Sequence, residues 1–580
     1  MCVALSAIPG SLVGQGMAGA DKRDLPSMPL PADVTPPRVQ FVDVASQAGL
    51  TTDWPASEPS YMRYLPETTG GGVALVDLNN DGLLDVFLVG TGGHGADPVA
   101  LPHRVFVNRG ALRFERATGG FAVGPTGWGQ GVCAGDVDAD GYTDLFVTHW
   151  GTDVLLRNLA GDGFKDEAVE RGVSGPAGRW STGCSFLDFD RDGDLDLFVA
   201  HYVDFDPTST PLPGAAPQCE WRGAGIPCGP RGLAAESMSL FENTDGLFRE
   251  VTEKAGVKTA PRHHGLGVAA ADFDRDGWTD VFVACDSTAN LYFRNGGDGS
   301  FVETALLAGA AYDENGREQA GMGVAVADAD GDGSLDVFQT NFAGDTNTLY
   351  RNRGGGQFRD STVRSGLGTV ARFVGWGAEF LDFDRDGWPD IFVANGHVAP
   401  GVERGESGET FAQPRQLFWN LGGGSYHPLS DIAGPGIAAS HPSRGSAVGD
   451  LDNDGDLEIV VANIGQAPSL LENRAEGQGN WLVVRVLSHS GGDAIGARVA
   501  VAVDGRILVS EVRSGGSYLS QGDFRLHFGL GDAESATVTV RWPSGVETTV
   551  EAVPARTFLE MDESVGSVGG TAPFAKLHFE

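Results

Sequence analysis

The stretch "DFDRDGDLDLFVAHY" runs from Asp188 to Tyr202, with five aspartates in its first nine positions and an apolar, strand-like run behind them. Carboxylates this close repel one another unless a cation sits between them. The stretch also recurs. Copies begin at Asp77 ("DLNNDGLLDVFLVG"), Asp136, Asp188, Asp272, Asp328, Asp382 and Asp450 ("DLDNDGDLEIVVANIG"), at steps of 59, 52, 84, 56, 54 and 68 residues. Internal periodicity of this length points to a repeat architecture.

Every copy places an oxygen side chain at positions 1, 3, 5 and 9 and a glycine at position 6. The sets are Asp77, Asn79, Asp81 and Asp85; Asp136, Asp138, Asp140 and Asp144; Asp188, Asp190, Asp192 and Asp196; Asp272, Asp274, Asp276 and Asp280; Asp328, Asp330, Asp332 and Asp336; Asp382, Asp384, Asp386 and Asp390; and Asp450, Asp452, Asp454 and Glu458. Of these 28 positions 27 are carboxylates, where chance would supply about four from 78 acids in 580 residues. The donor set suits Ca²⁺, which takes six to eight oxygens, and the glycine permits the sharp turn. An EF-hand would need flanking helices, and zinc would need Cys or His ligands. Here position 9 opens a run of Val, Phe and Leu, so the loop joins two strands. We expect up to seven structural calcium ions.

Between the loops a second element repeats. "LFENTDGLFREVTEKAGV" from Leu240 and "LYRNRGGGQFRDSTVRSGLG" from Leu349 read as strand, glycine turn, strand. One unit then has four antiparallel strands, and seven units make an all-β, seven-bladed propeller. The outer-strand motif follows six of the loops, and a seventh copy, "FVDVASQAGL" at Phe41, stands before the first loop. It is expected to complete the last blade and join the two ends of the ring, which removes an exposed sheet edge.

Composition bounds the function. A net charge of -38 disfavours nucleic acid and anionic membranes as partners. No run is long and apolar enough to span a membrane. Residues 1–20 resemble a secretion signal ending in Ala18-Gly19-Ala20, which implies a secreted, periplasmic or extracellular protein. Cys219 and Cys228 bracket a Pro/Gly-rich loop and are expected to pair. Cys133, Cys184 and Cys285 lie in apolar runs and read as buried thiols.

Strand direction separates two faces. The calcium loops share one, and the segments before first strands and after second strands share the other. The second collection holds Glu67, Trp128, His149, Trp150, Arg179, Trp180, His201, Tyr202, His263, His264, Asp286, Glu318, Asn341, Arg372, Trp376, His397, His441 and Arg444. Aromatics mixed with His, Arg and acids around a central funnel suit a small-molecule, glycan or protein site. Glu67, His263, His264, Asp286 and Glu318 are the candidates for acid/base chemistry. Whether the chain is a binding module or an enzyme is open at this point, as are its partner and oligomeric state.

The loops resemble the FG-GAP/VCBS calcium repeats of integrin α-chain propellers. "GNWLVVRVLSHSGGDAIGARVAV" (Gly479 to Val501), "SEVRSGGSYLSQGDFRLHFGLGD" (Ser510 to Asp532) and "VRWPSG" (Val540 to Gly545) resemble the ASPIC/UnbV domain. The combination is similar to the cartilage acidic protein 1-like family. The match covers about residues 40–560, and the chain is expected to divide into a signal at 1–20, a linker at 21–37, a propeller over 38–478, a small β-sandwich-like ASPIC/UnbV domain over 479–563 and a tail at 564–580. The resemblance implies a secreted calcium-binding protein with a ligand or partner on the face opposite the loops. The alternative is a natural-product-type lyase, isomerase or cyclase using the His/Trp/acid funnel.

Overall fold

In a computed structural model the described residues are 24–564 and 568–570, apart from 28, 33, 53, 55–61, 93–99, 125–126, 260 and 477–478. The segment read as an export signal and most of the tail lie outside them.

Each calcium-type loop closes a hairpin between two buried strands, because one face of each strand is apolar and its partner follows within nine residues. In the first repeat the strands are Val73–Val76, Asp85–Leu88, Arg104–Asn108 and Phe114–Arg116, hydrogen-bonded in chain order. Six such four-stranded antiparallel sheets follow the chain, and a seventh is completed by Phe41–Asp43 pairing with Ser469–Asn473. We number these blades 1 to 7 from the Asp77 loop onward. The first strand of each blade contacts that of the next, and Ser443–Gly449 of blade 7 contacts Val73–Val76 of blade 1, closing a ring.

The inner strands are small at one point in every blade. Gly72, Gly131, Gly183, Gly267, Gly323, Gly377 and Gly445 stand where a Cβ would come within 2.0 to 2.8 Å of the next blade or of the axial segment described below. Only glycine lets seven backbones converge this closely.

Residues 480–562 and 568–570 form two further four-stranded sheets. One holds Leu526–Gly531, Asn480–Leu487, Thr557–Asp562 and Val568–Gly570; the other holds Arg506–Glu511, Arg498–Val503, Ser535–Arg541 and Glu547–Pro554. Their apolar faces meet around Leu482, Val484, Val499, Val538, Trp542 and Met561.

The chain between Arg506–Glu511 and Leu526–Gly531 leaves this domain and runs into the propeller axis. Gln521 N donates to Val73 O of blade 1 at 2.9 Å, and Val132 N of blade 2 to Leu519 O at 3.1 Å. Ser185 Oγ of blade 3 donates to Ser514 O at 2.8 Å, and Val324 N of blade 5 to Ser517 O at 2.7 Å. Ala378 N of blade 6 bonds Ser517 Oγ, and Asp523 N reaches Val448 O of blade 7. Tyr518 and Leu519, both buried, form the tip. The segment therefore occupies the axis, and a cavity of about 720 Å³ remains between it and the inner strands of blades 4 to 7.

Two disulfides are present. Cys219 and Cys228 are joined, with Cα atoms 4.0 Å apart. Cys133 and Cys184 are joined as well, which corrects their reading as free thiols. They sit on the first strands of blades 2 and 3, adjacent in the ring, with Cα atoms 5.8 Å apart. Cys285 alone remains a buried thiol among the described residues.

Candidate metal centres and the opposite face

The loops share one backbone form. The position-6 glycine has φ between +82° and +95° in all seven, a region that penalises any side chain. In the second loop Asp136 accepts from Asp140 N at 3.0 Å and Gly141 N at 2.9 Å, and Asp140 accepts from Tyr142 N at 3.0 Å. Asp144, at position 9, accepts from Val137 N at 3.2 Å and from Asn158 N at 2.7 Å. These bonds turn the side chains inward. Carboxylate oxygens of Asp136, Asp138 and Asp144 lie within 4.8 Å of one another, as do those of Asp188, Asp190 and Asp196, of Asp272, Asp274 and Asp276, of Asp328, Asp330 and Asp332, and of Asp382, Asp384 and Asp390.

The donors fit a hard divalent cation for a second reason. Asp138 Oδ1, Asp188 Oδ1, Asp272 Oδ1, Asp384 Oδ1 and Asp452 Oδ1 are buried without a hydrogen-bond partner, and all belong to position 1 or 3 of a loop. Buried oxygens are rarely left unpaired. Burial first, then repulsion by neighbouring carboxylates, pushes Asp188 up to about 6 and Asp196 up to about 9. A cation would reverse that cost. Arginines supply part of the charge in some loops: Arg157 bonds Asp138 Oδ2 and leaves Oδ1 unpartnered.

The C-terminal domain covers loops of blades 4 to 7. Arg506 donates to Asp386 O at 3.0 Å and Gly387 O at 2.6 Å and stacks on Trp388, 3.9 Å from the ring centre. Arg525 donates to Asp450 O at 2.7 Å, Arg498 to Gly333 O at 2.5 Å, and His527 Nε2 to Gly455 O at 3.0 Å. Asp272 N donates to Glu511 Oε2 at 3.1 Å.

An asparagine that the sequence reading did not single out links the loops to one another. In blade 5 Asn352 Nδ2 donates to Leu335 O of its own loop at 3.1 Å and to Phe273 O of the blade 4 loop at 2.7 Å. Asn108, Asn158, Asn243, Asn295 and Asn420 bridge the same two places in their blades, and Asn473 reaches Phe383 O of the preceding loop. The signal was an Asn near every second glycine turn.

The opposite face is not an open funnel, which corrects the sequence reading. Trp128, Trp150, Phe205, Trp180 and Tyr202 form an edge-to-face chain with ring centres 5.1 to 5.8 Å apart. Trp180, Tyr202 and Trp376 pack in one apolar cluster with Trp221, Phe342 and Tyr518. Two insertions seal it. Trp221 Nε1, from the loop that carries Cys219 and Cys228, donates to Glu409 Oε2 at 2.7 Å, and His397 Nε2 stands 3.5 Å from the same carboxylate. Trp376 Nε1 donates to Gly396 O at 2.6 Å, and Arg444 stacks on Trp376 while donating to His397 O at 3.1 Å.

The acid/base candidates do not converge. Tyr202 OH donates to Asp286 Oδ2 at 2.6 Å, and His264 Nδ1 lies 3.1 Å from Asp286 O rather than from its carboxylate. His263 Nδ1 pairs with Ala289 O at 2.9 Å, Glu318 is exposed, and buried Glu67 accepts from Arg63 N at 2.6 Å. His149 and His201 are buried neutral; burial pushes them down to about 4 and about 3. His201 Nε2 lies 3.0 Å from Ser239 Oγ, which also accepts from Arg179 at 3.1 Å. Asn341 donates to Thr346 O, Arg372 pairs with Asp24 at 3.0 Å, and His441 Nδ1 lies 2.9 Å from Gln466. Of the set, Glu318 and Arg372 are exposed, while Trp128, Trp150, Arg179, His263 and His441 are half-buried.

The FG-GAP-like repeat model matches residues 77–147, 136–199, 272–339, 328–393 and 410–461, and the ASPIC and UnbV model matches 488–568. Cartilage acidic protein 1 of Homo sapiens is 26% identical over 530 residues, covering 84% of this chain and 70% of that protein. The Xenopus tropicalis protein of the same name is 26% identical over 517 residues, covering 84% and 71%. Among solved structures, BBS1N in complex with ARL6DN is 10% identical, covering 75% of this chain and 97% of that one, with a TM-score of 0.40.

Proposed function

Because the chain belongs to the FG-GAP-like repeat family, with an ASPIC and UnbV domain at its C-terminal end, we propose that it is a secreted calcium-binding protein that acts by binding. Calcium, up to seven ions, is structural in this reading. The carrying observation is the row of buried carboxylate oxygens without partners at positions 1 and 3 of five loops. Bound calcium supplies the positive charge those oxygens lack. The chain's own part is to hold the carboxylates by backbone N–H groups, to fix each loop to its neighbour through the asparagines, and to cover four loops with the C-terminal domain.

Export is supported by the two disulfides, which persist in oxidising compartments, and by the likeness to cartilage acidic protein 1. No helix among the described residues is long and apolar enough to cross a membrane. A partner, glycan or protein, would meet the rim of the face opposite the loops, where Arg179, Glu318 and Arg372 reach solvent. The enzymatic alternative needs an acid and a histidine in one open cleft, and Asp286, His264 and Glu318 do not form one.

Calcium content by elemental analysis, followed by thermal unfolding with and without chelator, tests this. If bound at tenfold over Kd, each ion adds ~1.4 kcal/mol. A chelated protein should melt far lower.

A further inference from the structure

A large cavity lies away from the candidates on the opposite face and is bordered by the loop residues Asp328, Asp332 and Asp382. It occupies about 720 Å³ between the inner strands and loops of blades 4 to 7, the axial segment and strand Arg506–Glu511 of the C-terminal domain. That is the size of a site for a small molecule. We propose that this cavity binds a small uncharged polyhydroxylated ligand, with the chemistry of a mono- or disaccharide.

Its walls mix the two surfaces such a ligand needs. Glu379 borders it with a carboxyl that accepts from Ser446 Oγ at 2.9 Å, and Ser517, 3.0 Å from Ser446, extends the same polar row. Burial pushes Glu379 up to about 8, so near neutral pH the carboxyl both donates and accepts. Arg513 Nη2 donates to Val326 O at 2.8 Å and Nη1 to Glu511 O at 3.2 Å, and a guanidinium has five N–H groups, so three remain. Facing these, Phe380 and Leu508 are half-buried and Ile507 is 59% exposed, an apolar wall for the C–H face of a sugar ring.

The charges point to a neutral ligand. Arg498 pairs with Glu511 at 2.8 Å and Arg525 with Asp523 at 2.7 Å. Arg506 is held by two carbonyls and Trp388. Arg275 and the carboxylates of Asp328, Asp332 and Asp382 border the same space with opposite signs. An ionised ligand would be repelled by one set or would compete with bonds already made, whereas hydroxyls can use the donors and acceptors left over.

The test is saturation-transfer NMR on the full calcium-loaded chain. The probes are N-acetylglucosamine, maltose, cellobiose and lactose, with glucuronate and glycylglycine as charged counterparts. At least one neutral sugar should bind. Ile507→Trp, which fills the cavity from an exposed position, and Glu379→Ala, which removes the carboxyl's donor and acceptor together, should each weaken it about tenfold at unchanged melting temperature. Silence from every neutral sugar, binding confined to the charged probes, or binding that both folded variants leave intact would overturn the assignment.

Discussion

Asn108 of the first blade donates from Nδ2 to the carbonyl of Leu451 in the last, at 2.7 Å. The same amide donates to Leu84 O of its own loop at 3.0 Å. One side chain thus joins the two loops that flank the point where the ring closes, and its equivalents do so around the ring. The loops behave as one connected rim, so loss of one link should be felt beyond its blade.

Replacing Asn352 with Leu tests that link. The variant leaves Phe273 O and Leu335 O without their donor in a buried setting. Stability should fall by about 2–4 kcal/mol, the cost of two unsatisfied carbonyls. Urea unfolding in saturating calcium measures it, and an unshifted midpoint would show that water replaces the amide at no cost.

Much of this rim was legible in the sequence and part of it was not. The loops announce themselves because oxygen ligands at fixed spacing cannot be moved without losing a cation. The place of Phe41–Asp43 follows from the phase of the outer motif. The axial segment was hidden, because the main-chain bonds that hold it in place, Gln521 N to Val73 O and Val132 N to Leu519 O, join residues far apart in the chain, and "SGGSYLSQGD" has no strand or helix period. Cys133 and Cys184 were misread because half-cystines and thiols look alike within apolar runs, and 51 residues separate them. The funnel failed for a physical reason: Trp180, Tyr202 and Trp376 were placed on the correct face, but the insertions carrying Trp221 and Glu409 fold over them.

The axial segment should stabilise the whole ring. Leu519 is 2% exposed and packs against blade 2 at Gly131. Leu519→Ala should cost about 2–5 kcal/mol, the range for emptying a well-packed core site. Differential scanning calorimetry should show one lowered transition for propeller and C-terminal domain together. An unchanged propeller transition would mean that the segment merely occupies the channel.

Acid sensitivity should trace in part to His149 and His201. Their folded pKa values lie below the unfolded value near 6.5, so at lower pH the unfolded chain binds protons that the folded chain refuses. This contribution is complete above about pH 6.5 and is lost as pH falls toward 4 and 3. His201→Gln removes one such term. In saturating calcium its stability deficit relative to the parent should shrink by about 1 kcal/mol between pH 7.5 and 5.5. A deficit that stays constant would contradict the assignment of a neutral buried imidazole.

Calcium release should be uneven. The loop at Asp382 lies under Arg506 with its position-5 Asp386 half-buried, whereas Asp81, Asp140 and Asp454 at the same position of other loops are exposed. Stopped-flow chelation should show at least two phases, with the slow one accelerated by Arg506→Ala. A single phase insensitive to that variant would mean that the C-terminal domain does not restrict escape.

The most direct measurement is the melting temperature of the purified chain before and after exhaustive chelation, with bound calcium counted in the same samples. Several equivalents of calcium, up to seven, and a large drop in melting temperature on their removal are the predicted result. A protein that holds no calcium, or that melts at the same temperature without it, would contradict a calcium-built propeller.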